Sequence, residues 1–126
     1  MKGEKLNDIV GTFPWWFARN LQAYKGRDAE MPIDQHQLLA LIAPRPLYVA
    51  SANEDLWADP EGEFLGAQAA SPIYNLYGYE GLEHEKNPAT DVPVYHRIGY
   101  HRRTGGHDIN LFDWNSFVKF LEAQGD

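Results

Sequence analysis

Apolar and polar positions along the chain predict a regular alternation of helix and strand from Asp34 onwards. Asp34 can cap a helix, and Gln37 three residues later stands in the capping-box position. Pro44 ends the apolar helical run that follows, because proline cannot continue a helix. Pro46 then introduces a short apolar stretch with β-branched and aromatic residues, which predicts a buried strand over LYVASA.

The second half of the chain continues the alternation. A helix is expected to begin near Pro60 and run through GEFLGAQAA, with a separate short helical piece, IYNLYG, after Ser71-Pro72. Residues 78–93 mix glycine, proline and charge and predict a surface loop. A second strand is predicted over VYHRIGYH. The final segment predicts a helix because apolar side chains recur at helical spacing, at Leu111, Trp114, Phe117, Val118 and Leu121.

The order of elements over residues 34–126 is helix, strand, helix, strand, helix. This alternation predicts an α/β fold with parallel strands. Two strands form an incomplete sheet that leaves apolar faces and a strand edge exposed, so the chain is expected to be part of a larger domain. Residues 13–33 predict an aromatic loop entering a helix near Ala18–Tyr24.

Composition excludes several classes of protein. Of the 126 residues, 44% are apolar, which is enough for a core. The net charge of -7 disfavours a nucleic-acid partner. No run approaches the ~20 apolar residues that a membrane span needs, and the first residues lack the apolar region of a signal peptide. With no cysteine, disulfides, thiolate metal sites and a cysteine nucleophile are all excluded.

His107 lies in a Thr-Gly-Gly-His-Asp turn after the second predicted strand. Two glycines allow a tight turn that presents an imidazole at the carboxyl end of a strand, where parallel-sheet proteins build their sites. The general base of an α/β-hydrolase occupies such a loop. A surface histidine in a polar turn is the alternative.

Asp55 follows the first predicted strand and precedes His107 by one helix and one strand. The acid of a hydrolase triad comes before its histidine in this order and accepts a hydrogen bond from the imidazole. Glu54 and Asp59 are rivals in the same loop, and Asp59 also suits the cap of the helix at Pro60. Asp55 is favoured because it lies closer to the strand end.

A nucleophile is not evident. The chain has three serines, Ser51, Ser71 and Ser116, and none lies in a Gly-x-Ser-x-Gly elbow. We therefore expect no triad acyl transfer from this chain alone. A metal site is disfavoured, because the histidines form no His-Glu-x-x-His pattern, and none is assigned.

Two stretches carry a specific resemblance, MPIDQHQLLALIAPRPLYVASANEDLWADPEGEFLGAQAASPIY and IGYHRRTGGHDINLFDW. They resemble the bacterial glucuronoyl esterases, α/β-hydrolases that cleave the ester between glucuronic acid on xylan and lignin alcohols. The resemblance extends from about Phe13 to Leu121. It implies the C-terminal portion of such a hydrolase, with no cofactor and with secretion or periplasmic export of the intact protein.

The resemblance also implies roles for individual residues. His107 corresponds to the general base and Asp55 to the triad acid, and Trp57 matches a tryptophan that lines the glucuronate pocket. Trp15 and Trp16 belong to an aromatic segment similar to one near the family's active site. The nucleophilic serine and its neighbouring arginine correspond to sequence upstream of this chain.

Two further hypotheses remain open from the sequence. One is a non-catalytic carbohydrate-binding or interaction module that uses the aromatic surface. The other is association, either with itself or with a separate chain that supplies the front half. An esterase origin predicts that Asp55 and His107 lie within hydrogen-bonding distance, which a binding module does not require.

Overall fold

Residues 3–125, described by a computed structural model, form five α-helices and a three-stranded β-sheet. In chain order the elements are α1 (Leu6–Thr12), α2 (Arg19–Gln22), α3 (Gln35–Ala40), β1 (Leu47–Ala52), α4 (Pro60–Leu76), β2 (Val94–Tyr95), β3 (Ile98–Arg103) and α5 (Leu111–Ala123). Short 3-10 turns lie at Pro14–Trp16 and Asp28–Glu30. No helix in this part of the chain is long and apolar enough to cross a bilayer.

The sheet has the strand order β1-β3-β2. β1 and β3 are parallel, in a register that places Leu47 opposite Ile98 and Ala52 opposite Arg103. Parallel strands end at the same edge of a sheet, so the loops that follow β1 and β3 leave the sheet side by side. Within residues 3–125, β1 has a strand partner on one side only.

α4 packs against one face of the sheet and forms the apolar core with it. The buried members of this core are Leu47, Phe64, Ala67, Ala70, Tyr74, Leu82, Ile98 and Tyr100. The phenol of Tyr100 donates to the carbonyl of Pro60 at 2.8 Å, and that of Tyr74 donates to the carbonyl of Arg45 at 2.9 Å. The two buried tyrosines therefore contribute apolar rings without leaving a polar atom unsatisfied.

The helix predicted from Ser71-Pro72 as a separate piece is instead the last part of α4, which runs unbroken through Pro72. A proline inside a helix removes one backbone hydrogen bond. Tyr74 is buried in the core with residues of the sheet, and the buried Ser71 hydroxyl accepts a hydrogen bond from the amide of Leu82 at 2.8 Å. Tertiary packing thus overrides the local signal.

The strand predicted over VYHRIGYH is also two elements. β2 pairs antiparallel with β3, Val94 opposite Tyr100 and Tyr95 opposite Gly99, so the chain reverses at His96 and Arg97. This reversal is fixed from outside the hairpin, because the amide of Arg97 donates to Glu80 and the His96 ring contacts the Glu85 carboxylate at 2.8 Å. Periodicity along one strand could not reveal those long-range contacts.

α5 forms where predicted, but its apolar stripe does not face the sheet. The helix buries Asp113, Ser116 and Phe120, whereas four of the five predicted apolar positions are exposed: Leu111, Trp114, Val118 and Leu121. The sheet face under α5 carries His101 and Arg103, and these polar side chains require polar partners. The outer stripe of α5 therefore remains uncovered by residues 3–125.

The predicted cap of α3 is confirmed. Asp34 accepts a hydrogen bond from the amide of Gln35 at 2.7 Å, and its own amide donates to the Gln37 side chain at 2.9 Å. In the front segment, the predicted aromatic loop and short helix correspond to the 3-10 turn and α2, and α1 was not predicted.

Candidate active site

Two loops that follow β1 and β3 are joined by backbone hydrogen bonds. The amide of Asn53 donates to the carbonyl of Arg103 at 2.9 Å, and the amide of Glu54 donates to that of Gly105 at 3.0 Å. The Asn53 side chain in turn accepts from the amide of Gly105 at 2.9 Å. Gly105 has a φ of 114°, a conformation open to glycine and costly for other residues. These bonds fix one loop against the other.

Asp55 and His107 meet at the outer side of these joined loops. The Oδ2 atom of Asp55 lies 2.6 Å from Nδ1 of His107, the contact expected from the sequence. An ionised carboxylate can only accept, so Nδ1 carries the proton and Nε2 remains as an acceptor. The imidazole is 91% exposed, whereas the Asp55 side chain is 16% exposed. The arrangement presents a basic nitrogen to the outside and holds its acid partner against the protein.

The rival acids have other positions. Asp59 is the N-cap of α4, and its carboxylate accepts from the amide of Gly62 at 3.3 Å, which confirms the predicted cap. Glu54 is exposed, and its amide, rather than its carboxylate, is used to join the loops. Of the three acids in this loop, Asp55 is the one that contacts the imidazole.

A cavity of about 230 Å³ opens beside the pair. Its lining includes Ser51, Asp55, Glu63 and His107. The Ser51 hydroxyl donates to Oε2 of Glu63 at 2.7 Å. Burial raises the pKa of Glu63 above its ordinary value, although the hydrogen bond from Ser51 opposes that shift. A second carboxyl group thus lies under the pair, already bonded to a neighbour.

The three tryptophans predicted to bind substrate are all exposed. Trp15 is 75% exposed, Trp16 is 62% exposed and Trp57 is 60% exposed, and none of them lines the 230 Å³ cavity. Phe13 stacks on Trp16 with ring centroids 4.2 Å apart. This segment offers flat aromatic surface without closing a pocket.

Each serine is buried in the packing of the chain. Ser51 is bonded to Glu63, Ser71 accepts from Leu82, and Ser116 lies on the buried face of α5. None of the three forms a hydrogen bond with the imidazole of His107. Over residues 3–125 there is also no group of three or more residues arranged to hold a metal ion.

A buried histidine–carboxylate pair, His101 with Asp113, lies under α5, and it was not predicted from the sequence. Nε2 of His101 lies 2.9 Å from Oδ1 of Asp113, and Nδ1 lies 2.8 Å from the Tyr48 phenol. Nε of Arg103 donates to the other oxygen of Asp113 at 2.8 Å. His101 and Arg103 are two residues apart and therefore share one face of β3, which is the signal that could have indicated a buried polar cluster.

The electrostatics of this buried cluster differ from those of the exposed pair. Burial lowers the pKa of His101 below its ordinary value, although Asp113 opposes that shift. Burial would raise the pKa of Asp113, but hydrogen bonds from Asn110, His101 and Arg103 outweigh it and hold the pKa below its usual range. His101 is therefore neutral and Asp113 ionised at neutral pH, with Nε2 donating to the carboxylate.

Parallel strands that alternate with helices, with an acid and a histidine on loops at adjacent strand ends, define a protein of the α/β-hydrolase class. The family model described as "Glucuronyl esterase, fungi" matches residues 1–78 of the chain. The chain belongs to the glucuronoyl esterase family. The predicted fold, the C-terminal portion of an α/β-hydrolase, is confirmed by solved structures of that family.

Three relatives illustrate the match. Carbohydrate esterase MZ0003, from an unknown prokaryotic organism, is 44% identical over 95% of this chain and 28% of its own length. The 4-O-methyl-glucuronoyl methylesterase of Hypocrea jecorina (strain QM6a) is 33% identical over 96% of this chain and 24% of its own. The structure of the glucuronoyl esterase from Solibacter usitatus superposes with a TM-score of 0.90 at 45% identity, over 99% of this chain and 32% of that one. The chain thus spans about a third or less of these relatives.

Proposed function

We propose that this chain supplies the acid and the base of a serine carboxylic ester hydrolase that acts on glucuronoyl esters of xylan. His107 is the general base and Asp55 the triad acid. The nucleophilic serine belongs to the remaining part of such an enzyme, because none of the three serines here has the sequence context of a nucleophile. The observation that carries the proposal is the 2.6 Å contact between Asp55 and His107 at adjacent strand ends.

The chemistry follows from the free nitrogen of His107. Nε2 removes the proton of the serine hydroxyl as its oxygen attacks the ester carbonyl, and a tetrahedral intermediate forms. The imidazolium then protonates the leaving alcohol as the C–O bond breaks, which yields the glucuronoyl-enzyme. Nε2 next removes a proton from water as it attacks the acyl carbon. The imidazolium then returns that proton to the serine oxygen as the acyl–oxygen bond breaks, which releases glucuronic acid and restores both serine and neutral imidazole. Asp55 accepts from Nδ1 throughout and stabilises the imidazolium.

A chimera tests this assignment directly. The part of the Solibacter usitatus glucuronoyl esterase that this chain matches, 32% of that enzyme, is replaced by the chain, and kcat/KM is measured with a benzyl ester of glucuronate. We expect His107→Ala to lower kcat by about three orders of magnitude, as for a lost triad base. Asp55→Asn should impair kcat strongly, because the imidazole then lacks its acceptor.

Glu54→Gln is the matched control, since Glu54 neighbours Asp55 but does not contact the imidazole. Its kcat should stay within roughly threefold of the parent chimera, as expected for a group outside the reaction. If Glu54→Gln abolished turnover while Asp55→Asn did not, the acid would be misassigned. Activity of His107→Ala within tenfold of the parent would refute the assignment of the base.

Substrate recognition is proposed for the exposed tryptophans. Indole rings offer flat apolar faces on which sugars stack, and Trp57 is two residues from Asp55. In the chimera, Trp57→Ala should raise KM for glucuronate esters with a smaller effect on kcat. Equal KM values in parent and variant would exclude a sugar contact.

Trp15 and Trp16 are the basis of the second candidate function, a non-catalytic carbohydrate-binding module. These rings are 75% and 62% exposed in a segment with no catalytic residue. Calorimetric titration of the 126-residue chain with glucuronoxylan separates the two functions, with Trp15→Ala and His107→Ala compared. Binding that depends on Trp15 in a chain whose chimera is inactive would favour the module.

Association is proposed for the uncovered surface. β1 lacks a strand partner on one side within residues 3–125, and α5 exposes an apolar stripe. Relatives three to four times as long have sequence available to cover both, so we propose that the preceding part of a hydrolase domain packs here. Light scattering of the isolated chain should then show self-association, and Leu121→Lys should weaken it. A monodisperse monomer would contradict this.

Secretion or periplasmic export of the intact protein is proposed on the same grounds, because xylan lies outside the cell. Fractionation of the natural host with an antibody against this chain would test it, and a signal confined to the cytoplasm would refute export.

A further inference from the structure

Arg103 is the last residue of β3, and its buried side chain contacts the turn that carries His107. The residue is 3% exposed. Its Nη2 donates to the carbonyl of Gly106 at 3.1 Å and also to the carbonyl of Asp108. These carbonyls belong to the residues directly before and after His107. Its Nη1 donates to the carbonyl of Thr104 at 3.1 Å.

The Arg103 guanidinium is itself held in place by Asp113 of α5. Nε of Arg103 donates to Asp113 at 2.8 Å, and Asp113 is held in turn by the amide of Asn110 at 2.7 Å and by Nε2 of His101 at 2.9 Å. Asn110 and Asp113 form the capping box of α5. The planar, fully charged guanidinium thus connects the start of α5 to the backbone around His107.

His107 depends on this support because little else restrains it. Its imidazole is 91% exposed, and its one side-chain partner is Asp55. The joined loops hold Gly105 through Asn53 and Glu54, but those bonds precede His107 in the chain. After Gly105, the backbone around His107 is held by the hydrogen bonds that Arg103 donates to the carbonyls of Gly106 and Asp108.

We propose that Arg103, held by Asp113, is a positioning residue that orients His107 so that Nδ1 faces Asp55 and Nε2 faces outward. The inference deepens the proposed function and rests on it for its relevance to ester hydrolysis. Arg103 touches no reacting atom. It acts through the carbonyls of Gly106 and Asp108, the residues on either side of His107.

The nitrogen that carries the proton reports this orientation without any need for substrate. In the isolated 126-residue chain labelled with ¹⁵N, the imidazole shifts of His107 are measured at a pH where the ring is neutral. The parent should show the Nδ1–H tautomer that Asp55 selects, whereas free histidine favours Nε2–H. Arg103→Met should lower the ratio of Nδ1–H to Nε2–H by roughly tenfold, the change expected when one hydrogen bond is lost.

Two further variants separate positioning from stability. Arg103→Met leaves the Asp113 carboxylate buried without its cation, so the double variant Arg103→Met with Asp113→Asn removes both charges together and should show the same tautomer change. Arg103→Lys keeps one donor group for the two carbonyls and should restore part of the ratio. A structural role alone would not produce this graded spectroscopic change in a folded chain.

Arg102→Met is the matched control. Arg102 is the neighbouring residue on β3, its side chain leaves the opposite face, and Nη2 donates to the carbonyl of Pro88 at 3.2 Å rather than to the His107 turn. Its tautomer ratio should equal that of the parent. Amide exchange of β3 in every variant verifies that the sheet is intact.

The outcomes distinguish this inference from the proposed function. If His107 of the parent chain favours the Nε2–H tautomer, the Asp55–His107 pair does not form in solution. That result would refute the proposed catalytic pair itself. A parent in the Nδ1–H form, with the double variant folded and unchanged, would overturn the role of Arg103 and leave the catalytic pair intact.

Discussion

The histidine–carboxylate pairs of His107 and His101 differ in what surrounds them. His107 and Asp55 meet on the surface, whereas the side chains of His101 and Asp113 are 0% and 5% exposed. His101 uses both ring nitrogens within the protein, for Asp113 and for Tyr48. His107 uses one ring nitrogen, Nδ1, for Asp55 and leaves Nε2 without a partner among the described residues. A histidine with a carboxylate partner is therefore a candidate base only when its second nitrogen is free to react.

The comparison predicts opposite consequences for stability and for activity. The buried pair should contribute strongly to folding and only indirectly to chemistry. The exposed pair should contribute little to folding, because surface ion pairs are worth about 0–1 kcal/mol, and should determine turnover. The following experiments test that division on the 126-residue chain.

The largest effect is expected from Asp113→Ala. It leaves the Arg103 guanidinium buried without its carboxylate and removes the partner of His101 Nε2. Breaking a buried ion pair in this way costs about 3–5 kcal/mol of unfolding free energy, measured by urea denaturation. Asp55→Ala, the same substitution in the exposed pair, should cost less than about 1 kcal/mol. Equal losses would abolish the distinction between the pairs.

Tyr48→Phe should have a smaller effect. The phenol donates to Nδ1 of His101 at 2.8 Å, and its loss leaves a buried acceptor unsatisfied at a cost of about 1–3 kcal/mol. Tyr77→Phe is the control, because Tyr77 is 58% exposed and its hydroxyl can bond to water. A Tyr48→Phe chain as stable as the control would mean that another donor, such as water, reaches His101.

The pH dependence of stability should identify His101. Burial lowers its pKa below the ordinary 6.5, so the unfolded chain binds a proton first as the pH falls. The contribution of His101 is complete above about pH 6.5 and is lost as the pH falls from there towards its folded pKa. Unfolding free energy should therefore decrease between pH 7 and 5, and His101→Gln should have a flatter profile. An identical slope in both chains would contradict the assignment.

The smallest effect on folding is expected from His107→Gln. With its ring 91% exposed and one side-chain contact, the residue should change unfolding free energy by no more than about 0.5 kcal/mol. The same substitution should abolish turnover in the esterase chimera described above. A large loss of stability would make His107 a structural residue and would weaken its assignment as a base.

Local sequence signals were sufficient where the interactions are local. The cap at Asp34, the strand LYVASA and the helix start at Asp59-Pro60 follow from residues within a few positions of one another. The contact between Asp55 and His107 followed from the order of elements, because loops after neighbouring parallel strands must meet. The roles assigned to these two residues remain proposals.

The sequence could not predict features that depend on distant partners. The hairpin reversal at His96 is stabilised by Glu85 in a loop, and α4 continues through Pro72 because the sheet buries Tyr74. The apolar spacing predicted the helix α5 but not which face it buries, because that face is set by the polar residues of β3. The Arg103–Asp113 contact joins two elements whose polar residues, taken separately, resemble ordinary surface positions.

The register of β1 against β3 limits where such a chain can tolerate insertions and deletions. Ala52 and Arg103 are paired as the last residues of the two strands, and the loops that carry Asp55 and His107 begin directly after them. One residue inserted inside either strand would turn the following side chains to the opposite face and displace one loop relative to the other. The same residue inserted between the exposed Lys86 and Asn87 would alter neither strand. Variation in length among homologous chains should therefore accumulate between the strands, while the two hexapeptides of β1 and β3 keep a fixed length.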